Sequence, residues 1–126
     1  MSWSAYVDTN LIGTGKVTKA AIHGLDGNVW ATSKGFSVPV NEAQTIIKAF
    51  TDASGIRASG IILGGVKYFA LRADDRSIYG KKDKSGLVLV KTKQAVLIAV
   101  YEEPIAPGEA TKVVEALADY LISVNY

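Results

Sequence analysis

Apolar residues recur along the chain at two spacings, one typical of α-helices and one typical of β-strands. The helical spacing begins at once, over residues 2–12, where Ser2 or Ser4 is the expected cap. Gly13-Thr14-Gly15 is the expected end of this amphipathic helix. Its apolar positions are Trp3, Tyr6, Val7 and Leu11.

Two further helices are predicted from the same spacing. One covers residues 41–50 with Asn41 as its N-cap, followed by one more turn at 52–57. The other is long, from Gly108 to about residue 124, after two prolines that break the preceding pattern. A single apolar stripe of this last helix is expected to face the core, formed by Val113, Val114, Leu117, Leu121 and Val124.

Short apolar runs bounded by turn residues predict an antiparallel meander between the helices. Asp26-Gly27 has the sequence of a two-residue type I′ hairpin turn, and Gly64-Gly65 marks a second hairpin. Helices at both ends and a meander in the middle predict an α+β fold with helices packed on the sheet. The strands are expected over residues 17–23, 29–32, 60–63, 66–72, 77–82, 87–93 and 95–101.

Composition is that of a compact globular protein, with 48% hydrophobic and 21% charged residues. A length of 126 residues suits one domain, 1–126. No apolar run approaches the roughly 18 residues of a transmembrane helix, and the first residues do not resemble a secretory signal. The absence of cysteine excludes disulfides and thiolate metal sites, so the cytoplasm is the expected compartment.

Aromatic residues are concentrated at the two ends of the chain, where segments are normally frayed and polar. If the terminal helices are neighbours, the rings of Trp3, Tyr6 and Tyr120 converge, with Trp30 and Tyr126 at the margin. Core packing would explain a single ring, but five rings with N–H and O–H donors favour a binding surface. Such a surface suits a polyproline II ligand, whose prolines fit between rings and whose carbonyls accept hydrogen bonds.

A basic stretch between residues 67 and 93 holds eight cations against three anions, although the whole chain has a net charge of only +2. A solvated sheet face or edge would explain any one lysine. The cluster as a whole indicates an acidic partner, either a protein surface or anionic lipid headgroups. Nucleic acid is not expected, because these strands lack the aromatic signature of RNA-binding sheets.

Catalysis has little support in the sequence. His23, the single histidine, falls within an apolar strand, where a packed side chain is more common than a base. Gly13-Thr14-Gly15 lacks the Lys-Ser/Thr ending of a phosphate loop, and Glu102 and Glu103 fit solvated charges. We therefore expect no enzymatic activity, no metal and no cofactor.

Three segments resemble the profilin family. Residues 1–8 (MSWSAYVD) and 11–15 (LIGTG) are similar to its N-terminal signature, and residues 72–82 (RADDRSIYGKK) to its central strand–turn–strand. Residues 107–110 (PGEA) and 118–121 (ADYL) are similar to its last helix. The resemblance spans the chain and fits the short profilins of amoebae and fungi. It implies an antiparallel sheet with the terminal helices together on one face and the shorter helices on the other.

The resemblance implies a monomeric cytoplasmic protein of the cytoskeleton and cell cortex that binds monomeric actin, proline-rich proteins such as formins, and phosphoinositide lipids. It would dock on the barbed end of an actin monomer, promote nucleotide exchange, and deliver the monomer to a filament barbed end. The implied proline-binding residues are Trp3, Tyr6, Trp30, Tyr120 and Tyr126. The implied actin-binding residues are Arg72, Arg76, Lys81, Lys91, Lys93, Thr111 and Lys112. The implied phosphoinositide-binding residues are Arg72, Arg76, Lys81, Lys82 and Lys112.

Animal profilins often carry histidine at the position of Tyr120, so their peptide preferences are not expected to transfer. The alternative function left open by the sequence is a lipid or nucleic-acid binding module that uses the basic strands without specificity for actin. A small-molecule sensor domain would need an internal pocket, which nothing in the sequence indicates.

Overall fold

Seven strands form a single antiparallel sheet in the structure, a computed structural model that describes residues 2–126. Met1, the first residue of the predicted domain, lies outside the described residues. The order across the sheet is β2-β1-β7-β6-β5-β4-β3, so the strands from β3 to β7 form a meander and β1 pairs with β7. The strands are β1 (Lys19–Gly24), β2 (Val29–Thr32), β3 (Ile61–Leu63), β4 (Val66–Ala73), β5 (Ser77–Lys82), β6 (Ser85–Lys91) and β7 (Ala95–Glu102).

Helices cover both faces of the sheet. The N-terminal helical segment (residues 3–14) and α4 (Pro107–Ser123) pack on one face, and α2 (Val40–Ala49) and α3 (Ser54–Ser59) pack on the other. The central strands β6 and β7 are buried along almost their whole length, since side chains on both of their faces meet helices. This arrangement confirms the predicted α+β fold. Among residues 2–126, no helix combines the length and apolar character needed to span a bilayer.

The N-terminal helical segment is not α-helical throughout, which corrects the prediction of one amphipathic α-helix over 2–12. It consists of α1 (Trp3–Ala5), a π-helical turn (Tyr6–Leu11) and a 3₁₀ turn (Ile12–Thr14). Gly15, with φ +74°, then ends the segment in a left-handed conformation, as expected of the glycine stop.

Two local predictions are wrong. The second helix begins at Val40 with Pro39 as its N-cap, because the carbonyl of Pro39 accepts the Ala43 N–H and Asn41 lies inside the first turn. The turn at Asp26-Gly27 is not of type I′, which needs a positive φ at both central residues, since only Gly27 has one. The connection is a longer loop, with hydrogen bonds from the N–H of Gly24 to Asn28 and of Gly27 to Gly24.

The last helix buries a narrower stripe than predicted. Val114, Leu117 and Leu121 are buried, together with two alanines on the same side. Val113 is only half-buried, and Val124 is exposed because it lies at the C-cap, where the backbone has left the helical path. The β6 strand also ends two residues earlier than predicted, and residues 92–94 form the turn that leads to β7.

Candidate functional site

The N-terminal helical segment carries Trp3 and Tyr6, which pack against the part of the core that lies between this segment, α4 and the sheet. The hydroxyl of Ser2 accepts the Ala5 N–H at 3.1 Å and so starts the helix immediately before Trp3. Val7 and Leu11, further along, are fully buried and fix the segment to the sheet. As a result, both rings are held half-buried instead of fraying with the chain end.

Five aromatic side chains converge at this point, and we term them the aromatic cluster. Trp3 is at its centre, with ring centroids 4.7 Å from Trp30, 5.0 Å from Tyr126 and 5.5 Å from Tyr6. Tyr120 joins through Tyr6, at 6.1 Å. The planes are tilted or edge-on, as favourable aromatic pairs are. The structure therefore brings together all five predicted proline-binding residues.

Trp30 reaches the cluster from the sheet. It lies on β2, where the pairing with β1 is irregular between Ile22 and His23. Its indole lies directly over Gly24, so close that a Cβ atom at residue 24 would be 2.7 Å from the indole nitrogen. The missing side chain of Gly24 thus makes the space that Trp30 occupies beside Trp3.

The aromatic cluster is partly exposed to solvent, and its rings carry phenol and indole groups. Tyr120 is 50% exposed and Tyr126 is 42% exposed. The pKa of Tyr6 is raised from its ordinary value, chiefly by a hydrogen bond with Tyr120. Phenol and indole groups at such a surface can donate to carbonyl oxygens of a ligand.

A groove continues from the aromatic cluster between the N-terminal helical segment and α4. Its volume is about 550 Å³. Tyr6 and Tyr120 belong to both the groove and the cluster, so an extended ligand seated on the rings could follow the two helices. The remaining lining residues are Asn10, Thr14, Val113, Ala116 and Leu117.

The predicted cations do not form one cluster on the structure. Arg72 and Lys81 lie on the sheet face that also carries α4, because they share the alternation of Tyr79. Lys82 and Lys91 follow the opposite alternation, toward the face that packs under α2 and α3. Of the other predicted actin-binding residues, Lys93 lies in the β6–β7 turn, and Thr111 and Lys112 lie in the first turns of α4.

Arg76 is bound within the chain itself. Its guanidinium donates to Glu115 at 3.0 Å and to Asp119 at 2.7 Å, both on α4. The hydrogen bond to Asp119 raises the pKa of Arg76, and burial only partly opposes this. Arg76 stays cationic, and its charge is balanced by the carboxylates of Glu115 and Asp119. The residue thus joins the start of β5 to α4.

Glu115 collects further donors beside Arg76. It accepts the hydroxyl of Ser77 at 2.6 Å and that of Tyr79 at 2.7 Å. Burial and the hydrogen bond from its hydroxyl to Glu115 raise the pKa of Tyr79. The resulting network joins the middle of α4 to β5. The sequence did not predict it, because the only signal was a pair of opposite charges 39 residues apart.

An apolar patch on β4 was missed by the sequence analysis. Phe69 is 72% exposed and pairs across the strands with Lys81, and Leu71 is 65% exposed. The irregular pairing between Ala70 and Arg72 leaves Leu71 without a partner on β5. Phenylalanine and leucine within a strand are usually assigned to the core, so residue type did not indicate this exposed surface.

His23 is buried, as expected of a residue in an apolar strand, and its Nδ1 lies 2.8 Å from the Gly27 carbonyl oxygen. Its Nε2 is buried without a hydrogen-bond partner. Within residues 2–126, no group of three or more histidine, aspartate or glutamate side chains is arranged to hold a metal ion.

Comparison with known proteins gives a consistent result. The family model described as Profilin matches residues 1–126. Profilin-1A of Acanthamoeba castellanii is 60% identical over 126 residues, covering 100% of both chains. The crystal structure of profilin II from the same organism, at 56% identity, superposes with a TM-score of 0.97 over 99% of this chain and 100% of that one. Mouse profilin IIa, solved in complex with a double repeat from the FH1 domain of mDia1, shares the fold at 22% identity, with a TM-score of 0.84 and full coverage of both chains.

Proposed function

Since this chain belongs to the profilin family, we propose that it binds monomeric actin on the sheet face beside α4 and proline-rich segments on the aromatic cluster. Profilins are actin-regulating proteins and not enzymes. The observation that carries the proposal is the convergence of five aromatic rings from both chain ends and β2, two of which, Tyr120 and Tyr126, stay about half exposed to solvent.

The aromatic cluster suits a polyproline II helix for two reasons. Its exposed ring surfaces offer apolar area against which pyrrolidine rings can pack, and its indole and phenol groups can donate to the free carbonyls of such a ligand. The complex of mouse profilin IIa with an FH1 double repeat supports this choice of ligand. We propose formins and similar elongation factors as the natural proline-rich partners, bound weakly enough to release the chain quickly.

The actin-binding surface is proposed to combine cations with the exposed Phe69. Lys81 pairs across the strands with Phe69, and Arg72 lies on the same sheet face. Exposed Lys112 and half-buried Thr111 extend the surface onto the first turns of α4. An apolar centre with a charged rim is the usual anatomy of a protein interface. Arg76 stabilises this surface through its hydrogen bonds to Glu115 and Asp119 on α4, so its charge is already paired within the chain.

Docking there is proposed to control filament assembly. A chain seated on the barbed end of the monomer blocks self-nucleation and pointed-end addition, yet allows delivery to a filament barbed end. Faster nucleotide exchange would follow if the chain binds the open state of actin more tightly, because a ligand shifts a conformational equilibrium toward the state it prefers. A proline-rich partner held at the aromatic cluster would raise the local concentration of actin at the growing end.

Phosphoinositides are proposed as competing ligands of the same cations. Arg72, Lys81 and Lys112 are exposed, and Lys82 lies next to Lys81 at the β5–β6 hairpin. Headgroup phosphates on these side chains would overlap the actin surface, which predicts mutual exclusion between membrane and actin. We propose a cytoplasmic location for the chain, with a fraction at the cell cortex where such lipids are found.

The proposal is tested by separating the two surfaces with single substitutions. Trp3→Ala removes the centre of the aromatic cluster, so oligoproline binding should be lost in calorimetric titration while actin affinity is kept. Lys112→Glu should do the reverse, because it reverses a charge at the actin surface and leaves the rings in place.

Lys48→Glu is the matched control for the charge reversal. Lys48 is an exposed lysine on α2, on the opposite side of the sheet, so both affinities should stay at wild-type values. Unchanged oligoproline binding in a folded Trp3→Ala variant, or equal actin affinity in Lys112→Glu, would refute the assigned surface.

A further inference from the structure

The C-terminal end of α4 has a defined geometry that determines where Tyr126 lies. Asn125 adopts a left-handed conformation, with φ +72°, just beyond the C-cap Val124. Its N–H donates to Ile122 at 3.1 Å, and the N–H of Tyr126 donates to Leu121 at 2.8 Å. These two bonds form a Schellman motif, which turns the chain back across the helix end. The turn brings Tyr126 toward both Trp3 and the β6–β7 turn.

The β6–β7 turn then holds the main chain of these last residues. The carbonyl oxygen of Tyr126 accepts the Thr92 hydroxyl at 2.6 Å and the Gln94 N–H at 2.5 Å. The side-chain amide of Gln94 donates to the Asn125 carbonyl at 2.7 Å. Thr92 is itself buried, and its oxygen accepts the Ala95 N–H, so the donor is held in place by the strand hairpin.

We propose that Thr92 and Gln94 are positioning residues for ligand binding at the aromatic cluster, acting through Tyr126. This inference rests on the proposed function, in which the cluster binds proline-rich segments. Tyr126 lies beyond the helix, and its ring meets Trp3 edge-on at 86°. With the main chain of Tyr126 fixed by three hydrogen bonds from the turn and the helix end, the ring is presented in one place. Without them, the ring must be ordered when the ligand binds, which weakens affinity.

Neither residue is expected to touch the ligand. Thr92 is buried, and the side chain of Gln94 is occupied by Asn125. Their effect on binding should therefore vanish when the Tyr126 ring is absent, even though their own hydrogen bonds to the main chain are still possible. This dependence distinguishes positioning through Tyr126 from a general loss of stability.

The test is a double-mutant cycle read by calorimetric titration of the full chain with oligoproline. Thr92→Val removes the hydroxyl at nearly constant volume, and Thr92→Ser restores it. Loss of one such hydrogen bond is expected to raise Kd about two- to tenfold. Gln94→Ala should act in the same direction. Thr45→Val, which removes an exposed hydroxyl on α2, is the matched control and should leave Kd unchanged.

The expected result is a weaker Thr92→Val, a Thr92→Ser near wild type, and no further effect of Thr92→Val in a Tyr126→Ala background. Near-ultraviolet circular dichroism of the free chain should also lose intensity from the Trp3–Tyr126 contact in Thr92→Val. Equal Kd in wild type and in both Thr92→Val and Gln94→Ala would overturn the inference. An equal effect of Thr92→Val with and without the Tyr126 ring would also overturn it. Failure of the wild-type chain to bind oligoproline would instead refute the proposed function.

Discussion

Alanine in place of Gly24 should displace the Trp30 indole and so open the aromatic cluster. The added Cβ would lie 2.7 Å from the indole Nε1 and 3.0 Å from Cε2. The ring must then move by about 0.7 Å to reach 3.4 Å, the shortest ordinary contact. Trp30 packs against Trp3 with their ring centroids 4.7 Å apart, so the movement of Trp30 has to tilt one ring or both.

The loss of oligoproline affinity can be estimated from the disturbed contact between Trp30 and Trp3. An aromatic pair contributes about 0.5–1.5 kcal/mol beyond its buried area, which corresponds to an increase in the oligoproline Kd of about two- to tenfold. The free energy of unfolding should change less than this, because Trp30 is only partly buried and Gly24 has an ordinary backbone conformation open to alanine.

The assay is titration of Gly24→Ala with oligoproline, together with the tryptophan emission of the free chain. Gly55→Ala is the control, since a Cβ atom at Gly55 on α3 would meet nothing within 4 Å. A raised Kd with shifted emission in Gly24→Ala alone would support the dependence of the Trp30 position on Gly24. A Kd and a tryptophan emission equal to those of the wild type would refute the claim that the missing side chain of Gly24 makes the space for Trp30.

Three other predictions concern the sheet face and α4. Arg76→Gln should lower the free energy of unfolding by about 1 kcal/mol in urea denaturation, because it removes the cation between Glu115 and Asp119 at a partly exposed site; an unchanged midpoint would contradict the network. Phe69→Ser should lower actin affinity but not stability, since the ring is largely exposed; unaltered actin affinity would exclude it from the interface. Hydrogen bonds from the N–H groups of Ser77 and Arg76 lower the pKa of Asp74 below its ordinary value, so the stabilisation from this carboxylate is present above the unfolded-state pKa and is lost as the pH falls through the folded-state pKa. Asp74→Asn should therefore flatten the acid side of a stability–pH profile, and an equally steep profile would argue against it.

The sheet was predictable where both of its faces are covered. The runs in β6 and β7 are apolar almost throughout, which is typical of strands between two helix layers, and their central residues were assigned correctly. Turns were less predictable. The type I′ expectation at Asp26-Gly27 relied on the residue pair alone, whereas a hydrogen bond from the Gly24 N–H to the Asn28 carbonyl closes a longer loop.

Helix ends and irregular turns escaped prediction because their causes are not local residue preferences. Asn41 is a favourable N-cap, but the carbonyl of Pro39 was already placed to accept the Ala43 N–H. Nothing in the residues of Tyr6–Leu11 distinguishes a π-helical turn from an α-helical one. Val7 and Leu11 of this turn are both buried against the sheet, and only the tertiary structure specifies that packing.

The candidate site was predicted in membership but not in arrangement. Trp30 was expected at the margin, yet its ring is the one nearest to Trp3, because the β1–β2 hairpin carries it there. Tyr120 meets Tyr6 and not Trp3. The sequence likewise indicated a basic stretch, but strand alternation divides its lysines between two faces, and Arg76 is paired with α4. Pairings of this kind join residues far apart in sequence and cannot be deduced from spacing.

We propose that the aromatic cluster and the actin surface are separate and can be occupied together. The most direct measurement follows the fluorescence anisotropy of a labelled oligoproline peptide bound to the chain while monomeric actin is added. The anisotropy should rise further as a ternary complex forms, and Lys112→Glu should weaken that second rise. A fall to the value of the free peptide would show that actin displaces the proline ligand and would contradict the account.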